Sequence, residues 1–205
     1  MRGRIWIAGV VFWLGLAATA VVGEYRSGFG FVISVPEVWL VLTQGEVAEH
    51  ADIFLDVDED SALAAIPVEV RRIVFERIRR GELEIFYRRE EFAGAFIDNI
   101  NIMQQGSPLP TGRVQIDAVC RLLPEEFSRV FGRPIVMDRC EMRELVGRPA
   151  LYLQFDGALH GTKTMQYQLK QGGERTLVIT ATAAMPNLTR MLGEFEAMVA
   201  SIRID

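Results

Sequence analysis

The feature of this sequence that most restricts its fold is a set of three alternating ribbons in the last third. Leu151, Leu153 and Phe155 alternate with Tyr152, Gln154 and Asp156. Met165, Tyr167 and Leu169 alternate with Gln166, Gln168 and Lys170, and Leu177, Ile179 and Ala181 with Val178, Thr180 and Thr182. A period of two is the strand period, because successive side chains point to opposite faces of a sheet. The segments 157–161 and 171–174, rich in glycine, supply short turns of the kind that join antiparallel neighbours. With the apolar-polar segment 135–145 ahead of them, the ribbons predict a four-strand antiparallel meander with one buried and one polar face. A closing helical pattern over 187–202 puts Leu188, Met191, Phe195, Met198 and Ile202 on one stripe. The meander is expected to lay its apolar side under that helix, since each apolar face needs the other for burial.

Upstream segments extend the same plan. Phe29, Phe31, Ile33 and Val35 alternate up to Pro36, which reads as a half-buried strand, and Trp39 beyond it is expected to lid the core. Ile53, Leu55 and Val57 suggest a short strand. Pro67 suits a helix start, and 68–80 predicts a helix stopped by Gly81. Two strands are expected over 82–89 and 96–104, with Ala93-Gly94 near the turn. A helix is predicted over 111–131, with Ile116, Val119, Cys120, Leu123, Phe127 and Val130 on its apolar face. Pro124 is expected to kink or break it, and Gly132 to end it. The fold class is therefore α+β: an antiparallel sheet of about six to seven strands flanked by helices as an α/β/α sandwich. The chain has 205 residues, 50% of them hydrophobic and 24% charged, which suits one domain.

The amino terminus speaks to compartment. Arg2 and Arg4 precede an apolar run over 5–16, and Ala18-Thr19-Ala20 follows as a small-x-small pattern. These are the features of a secretory signal peptide, so residues 1–20 are expected to be removed and 21–205 to form the exported domain. The alternative is an uncleaved anchor over residues 5–22, nearly long enough to span a bilayer. Export to a periplasmic, extracytoplasmic or thylakoid-lumen-like space permits a disulfide between Cys120 and Cys140, the only cysteines. The competing reading is a free, buried Cys120 acting as a small hydrophobe on its helix.

Composition and motifs exclude more chemistry than they suggest. With 22 Lys and Arg against 27 Asp and Glu, the formal net charge is −5, which disfavours nucleic acid as a partner. No Gly-x-Ser-x-Gly, Cys-x-x-Cys or His-Glu-x-x-His occurs, nor a glycine-rich phosphate loop. Asp56-Val-Asp58-Glu-Asp60 starts like a calcium loop, but Ser61 and Pro67 stand where the required glycine and glutamate would be. His50 and His160 lie in unrelated segments, and a hydrolase would need the fold to bring one of them beside a carboxylate. No catalytic residue, metal site or cofactor is assigned. Arg71, Arg72, Arg79 and Arg80 give the 68–80 helix a basic side that could dock on an acidic partner or anionic lipid. Glu69, Glu76 and Glu82 lie close enough to dilute that charge.

Several short motifs occur in a shared order: Gly28-Phe-Gly-Phe-Val-Ile-Ser-Val-Pro36 followed by Trp39, then Asp98-Asn-Ile-Asn-Ile-Met103, then Gly147-Arg-Pro-Ala150 opening the meander, and Phe195 with Ser201-Ile-Arg-Ile204 at the end. In this order the chain resembles the PsbP-like α/β/α sandwich superfamily, which includes exported proteins of the PsbP, DcrB and LpqN types. The acidic segment 44–66 departs from that pattern. The resemblance implies a module that binds a protein or lipid partner at the envelope rather than an enzyme. The alternatives are a structural subunit of a membrane complex anchored by its amino terminus, or an exported hydrolase with a dispersed His/carboxylate site.

Overall fold

The computed structural model describes residues 22–49, 68–88 and 98–204. The leader, the 53–57 strand, Pro67, His50 and the acidic run from Asp56 to Asp60 lie outside them. Among these residues ten strands form two antiparallel sheets. A small sheet has the order β1-β2-β10, from Val22–Ser27, Phe31–Pro36 and Arg203–Ile204. A seven-stranded sheet has the order β3-β4-β5-β9-β8-β7-β6. Its strands are β3 Trp39–Leu42, β4 Glu84–Arg88, β5 Asn99–Gln105, β6 Met137–Leu145, β7 Arg148–Asp156, β8 Thr162–Lys170 and β9 Thr176–Ala184. Helices α1 (Gln44–Glu49), α2 (Val68–Arg79), α3 (Arg113–Phe131) and α4 (Leu188–Ala200) complete the described chain. The expected α/β/α sandwich and the C-terminal meander are present.

Register decides which side chains share a face. Tyr152 pairs with Tyr167, Tyr167 with Ile179, and Ile179 with Ile102, so these point one way together. That face carries the main core. Phe86, Ile100, Ile102, Tyr152, Met165, Tyr167, Leu169, Leu177 and Ile179 meet Met191, Phe195 and Met198 of α4, and Phe31, Ile33 and Val35 of β2. Burying one such large apolar side chain is worth about 1.5–3 kcal/mol, so this layer dominates the stability. Trp39, expected as a lid, is buried here as the first residue of β3.

The opposite face is covered at its two ends. At one end α1 and α2 place Val47, Phe75 and Ile78 against Leu83, Ile85 and Met103. At the other, α3 places Val119, Leu123, Phe127 and Phe131 over Leu151, Leu153 and Phe155. This corrects the expectation that those three residues lie under the closing helix. Alternation fixes that they share a face but does not say which, and the pairing of Leu153 with Gln166 puts them on the α3 side. It also corrects the picture of one buried and one polar face, since Ala150 to Leu153 are buried in succession on both sides of β7.

Three further differences concern α3 and the sheet partners. The helix runs unbroken through Pro124, which removes one ladder bond without ending it. Val130, assigned to the apolar face, is 73% exposed, and Phe131 beside it packs on the sheet instead. The strand expected over 29–36 begins at Phe31 and belongs to the small sheet, where β1 and β10 flank it. Neither flank carries a long apolar alternation that would reveal it. The β6–β7 hairpin turns on Val146 and Gly147 with φ of 47° and 73°. Gly147 suits that left-handed geometry and a β-branched valine does not. Among the described residues β6 is one edge of the large sheet and β3 the other, and β6 has an irregular register between Met137 and Arg139.

Candidate functional site

Between α3 and the middle of the sheet lies a groove of about 400 Å³. Its floor follows from register. Asn99 pairs with Thr182 and Thr182 with Thr164, while Thr180 pairs with Gln166. These side chains share the face that carries Phe155. They are hydroxyls and amides, and they bond along the floor. Gln168 Nε2 donates to Gln166 Oε1 at 2.6 Å, and Gln166 Nε2 donates to Thr180 Oγ1 at 2.9 Å. The Thr164 and Thr182 hydroxyls lie 3.3 Å apart. The wall is apolar: Phe127 stacks at 4.5 Å on Phe155 and at 6.0 Å on Phe131, with Leu159 beyond. No Lys, Arg, Asp, Glu or His lines the groove among the described residues.

The groove's far corner is held open by backbone chemistry. Arg133, just past α3, donates to the carbonyls of Gly157, Ala158 and Leu159 in the β7–β8 turn. Thr162 Oγ1 donates to Leu159 O at 2.7 Å from within the same turn. A Cβ at position 157 would collide with Thr162, so this turn tolerates only glycine there. The wall itself is tethered. Cys120 of α3 and Cys140 of β6 have Cα atoms 5.6 Å apart and sulfurs at bonding distance, the geometry of a disulfide. Among α3 residues none is fully buried, so this tether and the aromatic stack fix the wall.

The other expected residues stand apart from the groove. Arg79 pairs with Glu76 at 2.8 Å and Arg80 with Glu82 at 2.8 Å, and Arg77 lies 3.9 Å from Glu82. The hydrogen bond from Arg80 lowers the Glu82 carboxyl below its ordinary range. Arg72 is exposed and Arg71 half-buried, so the basic side of α2 is interleaved with acids. His160 sits exposed in the β7–β8 turn and makes no side-chain hydrogen bond or ion pair.

Charged clusters do form on the α4 side, and they are structural in geometry. Glu194 accepts from Trp39 Nε1 at 2.9 Å and from Arg88 Nε at 3.2 Å. Asp98 is fully buried, accepts from the Ala184 amide at 2.8 Å and lies 3.6 Å from Arg190. Burial pushes the Asp98 carboxyl above its usual range. Arg143 covers the Tyr152 ring at 3.6 Å and donates to Tyr167 Oη at 3.2 Å. Burial first, with Glu196 nearby, pushes the Tyr152 hydroxyl up to about 12. Lys163 bridges Asp138 at 2.5 Å and Asp156 at 2.7 Å. These groups clamp α4 and the strand ends. Among the described residues no cluster of His, Cys, Asp and Glu could hold a metal, and no helix is long and apolar enough to cross a membrane.

Sequence reasoning missed the groove because outward strand positions read as solvent-facing. A signal was present: Thr164, Gln166, Thr180 and Thr182 are all uncharged, where a freely solvated sheet face would carry Lys and Glu.

Known structures place the architecture. The chain is similar to cyanobacterial PsbP (CyanoP) from Synechocystis sp. PCC 6803, with a TM-score of 0.55, 11% identity, and 96% of this chain and 98% of that one covered. The Ran-binding protein Mog1p of Saccharomyces cerevisiae matches at 0.49 with 7% identity, covering 91% and 96%. The immunity protein TplEi of Pseudomonas aeruginosa, in complex with a peptide, matches at 0.47 with 12% identity, covering 89% and 98%. No protein-family model matches the chain, and no curated protein matches it. The fold is that of PsbP; at these identities the likeness defines architecture and not activity.

Proposed function

We propose that this chain is an exported, non-catalytic binding module of the cell envelope that holds a protein partner. The observation that supports it is the groove: a cleft with an aromatic wall and a hydrogen-bonding floor that, among the described residues, carries no ionisable side chain. Such a lining can bind and orient, and it offers no proton to transfer. The leader-like residues 1–20 and the Cys120–Cys140 geometry support an oxidising, extracytoplasmic home. Affinity capture from membrane extracts tests the reading. The native chain should retain a reproducible protein partner, and Thr182→Arg, which puts a charge into the groove, should lose it, while Arg72→Glu on α2 keeps it. Retention of lipid alone would overturn the choice of a protein, and retention of nothing would overturn the binding reading.

An anchored subunit of a membrane complex is the second reading, favoured by the length of the apolar run over residues 5–22. Alkaline carbonate extraction separates the two: a cleaved domain leaves the pellet and an anchored one stays in it.

A further inference from the structure

We infer that the groove between α3 and the sheet holds a neutral saccharide of about disaccharide size. The inference rests on the non-catalytic reading above, in that the sugar is held and not cleaved. Three properties of the lining carry it.

The first is charge. The described lining contains no ionisable side chain, so a phosphate, carboxylate or amine entering it would lose hydration and find no counter-charge, whereas a neutral hydroxyl needs none. Arg133, near the rim, is committed to the carbonyls of the 157–161 turn. The second is two-sidedness. Phe127 and Phe131 of α3 offer ring surface on one side, and Thr164, Gln166, Thr180 and Thr182 of the sheet place hydroxyls and amides on the other. A pyranose has the matching pair of surfaces, an apolar face of C–H bonds and an edge of hydroxyls. An acyl chain would strand the floor's polar groups away from water. The third is hydrogen-bond direction. Gln168 donates to Gln166, and Gln166 donates to Thr180. Thr180 therefore already accepts within the floor, and its own hydroxyl proton is left to donate into the groove. The volume of about 400 Å³ lies at the small end of ligand pockets, which suits one short glycan unit and not a folded partner.

Cleavage of the sugar would need two carboxyl groups flanking the bond. The described lining has none. The groove is thus a recognition site for a short glycan carried by the protein partner that the chain captures.

The test is calorimetric titration of the purified chain with cellobiose, maltose and chitobiose, each to about 10 mM, a range that detects millimolar binding. At least one should bind. Thr180→Val and Thr182→Val, which keep volume and remove a hydroxyl, should each weaken it roughly five- to tenfold, the size of one hydrogen bond. Val114→Ser, on the exposed side of α3, should leave it unchanged, and every variant should melt in one cooperative transition, the two threonine variants lower by no more than the one floor hydrogen bond each loses. Absence of heat with all three sugars overturns the inference, and so does tighter binding of a uronic acid or a sugar phosphate. Tighter binding of an N-acetylated, C-amidated tripeptide also overturns it. If partner capture succeeds while no sugar binds, this inference alone fails. If sugar binds while nothing is captured, the protein-partner reading fails.

Discussion

Replacing Cys120 and Cys140 together by alanine should destabilise the domain by about 3 kcal/mol. The pair encloses a loop with a sequence separation of 20. The chain-entropy relation for a loop of that length gives about 11 cal/mol/K, or roughly 3.3 kcal/mol at 25 °C. Native strain does not enter that figure, and the side chains lost are small and only half-buried, so little cavity cost is added. For a chain of this size each kcal/mol shifts Tm by about 2–4 °C, so the midpoint should fall by roughly 6–12 °C. Urea melts of oxidised, reduced and double-alanine protein measure the loss directly. Hydrogen exchange should rise first in α3, because that helix has no fully buried residue and depends on the tether. A loss below about 1 kcal/mol would refute the loop argument. Alkylation of both cysteines in unreduced native protein would refute the bond itself.

Two other outcomes follow from local geometry. Val146→Asn should stabilise the fold by about 1 kcal/mol, because a β-branched residue at φ 47° carries left-handed strain that asparagine tolerates; Val146→Thr, equally branched, should give no gain in the same melts. The Lys163 bond holds the Asp156 carboxyl below its usual range, so its folded pKa lies under the unfolded one. Its contribution is then present above about pH 4 and lost as pH falls through the folded value. Asp156→Asn should flatten that acid limb in stability-versus-pH measurements, and an unchanged limb would assign the acid sensitivity elsewhere.

Much of the fold is legible from short-range pattern. The meander, the α2 and α3 helices, and the last helix all carry a clean period, and Gly81 and Gly132 mark their ends with φ of 68° and 67°. What a period cannot supply is the absolute face. Leu151, Leu153 and Phe155 look equivalent to Leu177 and Ile179 until register shows that they point to opposite sides of the sheet. The short strands β3 and β10 were hidden because they pair over long sequence separations, and β1, though it pairs with its neighbour β2, because its own residues carry no apolar alternation. The groove was hidden for the same reason as the faces. Asn99, Thr164 and Thr182 lie in three distant segments and become one row only through pairing. The basic side of α2 and its dilution by Glu76 and Glu82 were both readable, and only the particular ion pairs needed side-chain geometry.

The edge strand β6 carries a last consequence. Along it, Asp138, Arg139, Glu141, Arg143 and Glu144 interleave opposite signs, and the register slips between Met137 and Arg139. An incoming ribbon of greasy residues would find no matching row there, and the slip would throw its hydrogen bonds out of step. At this border the largest sheet thus discourages fibre-like stacking.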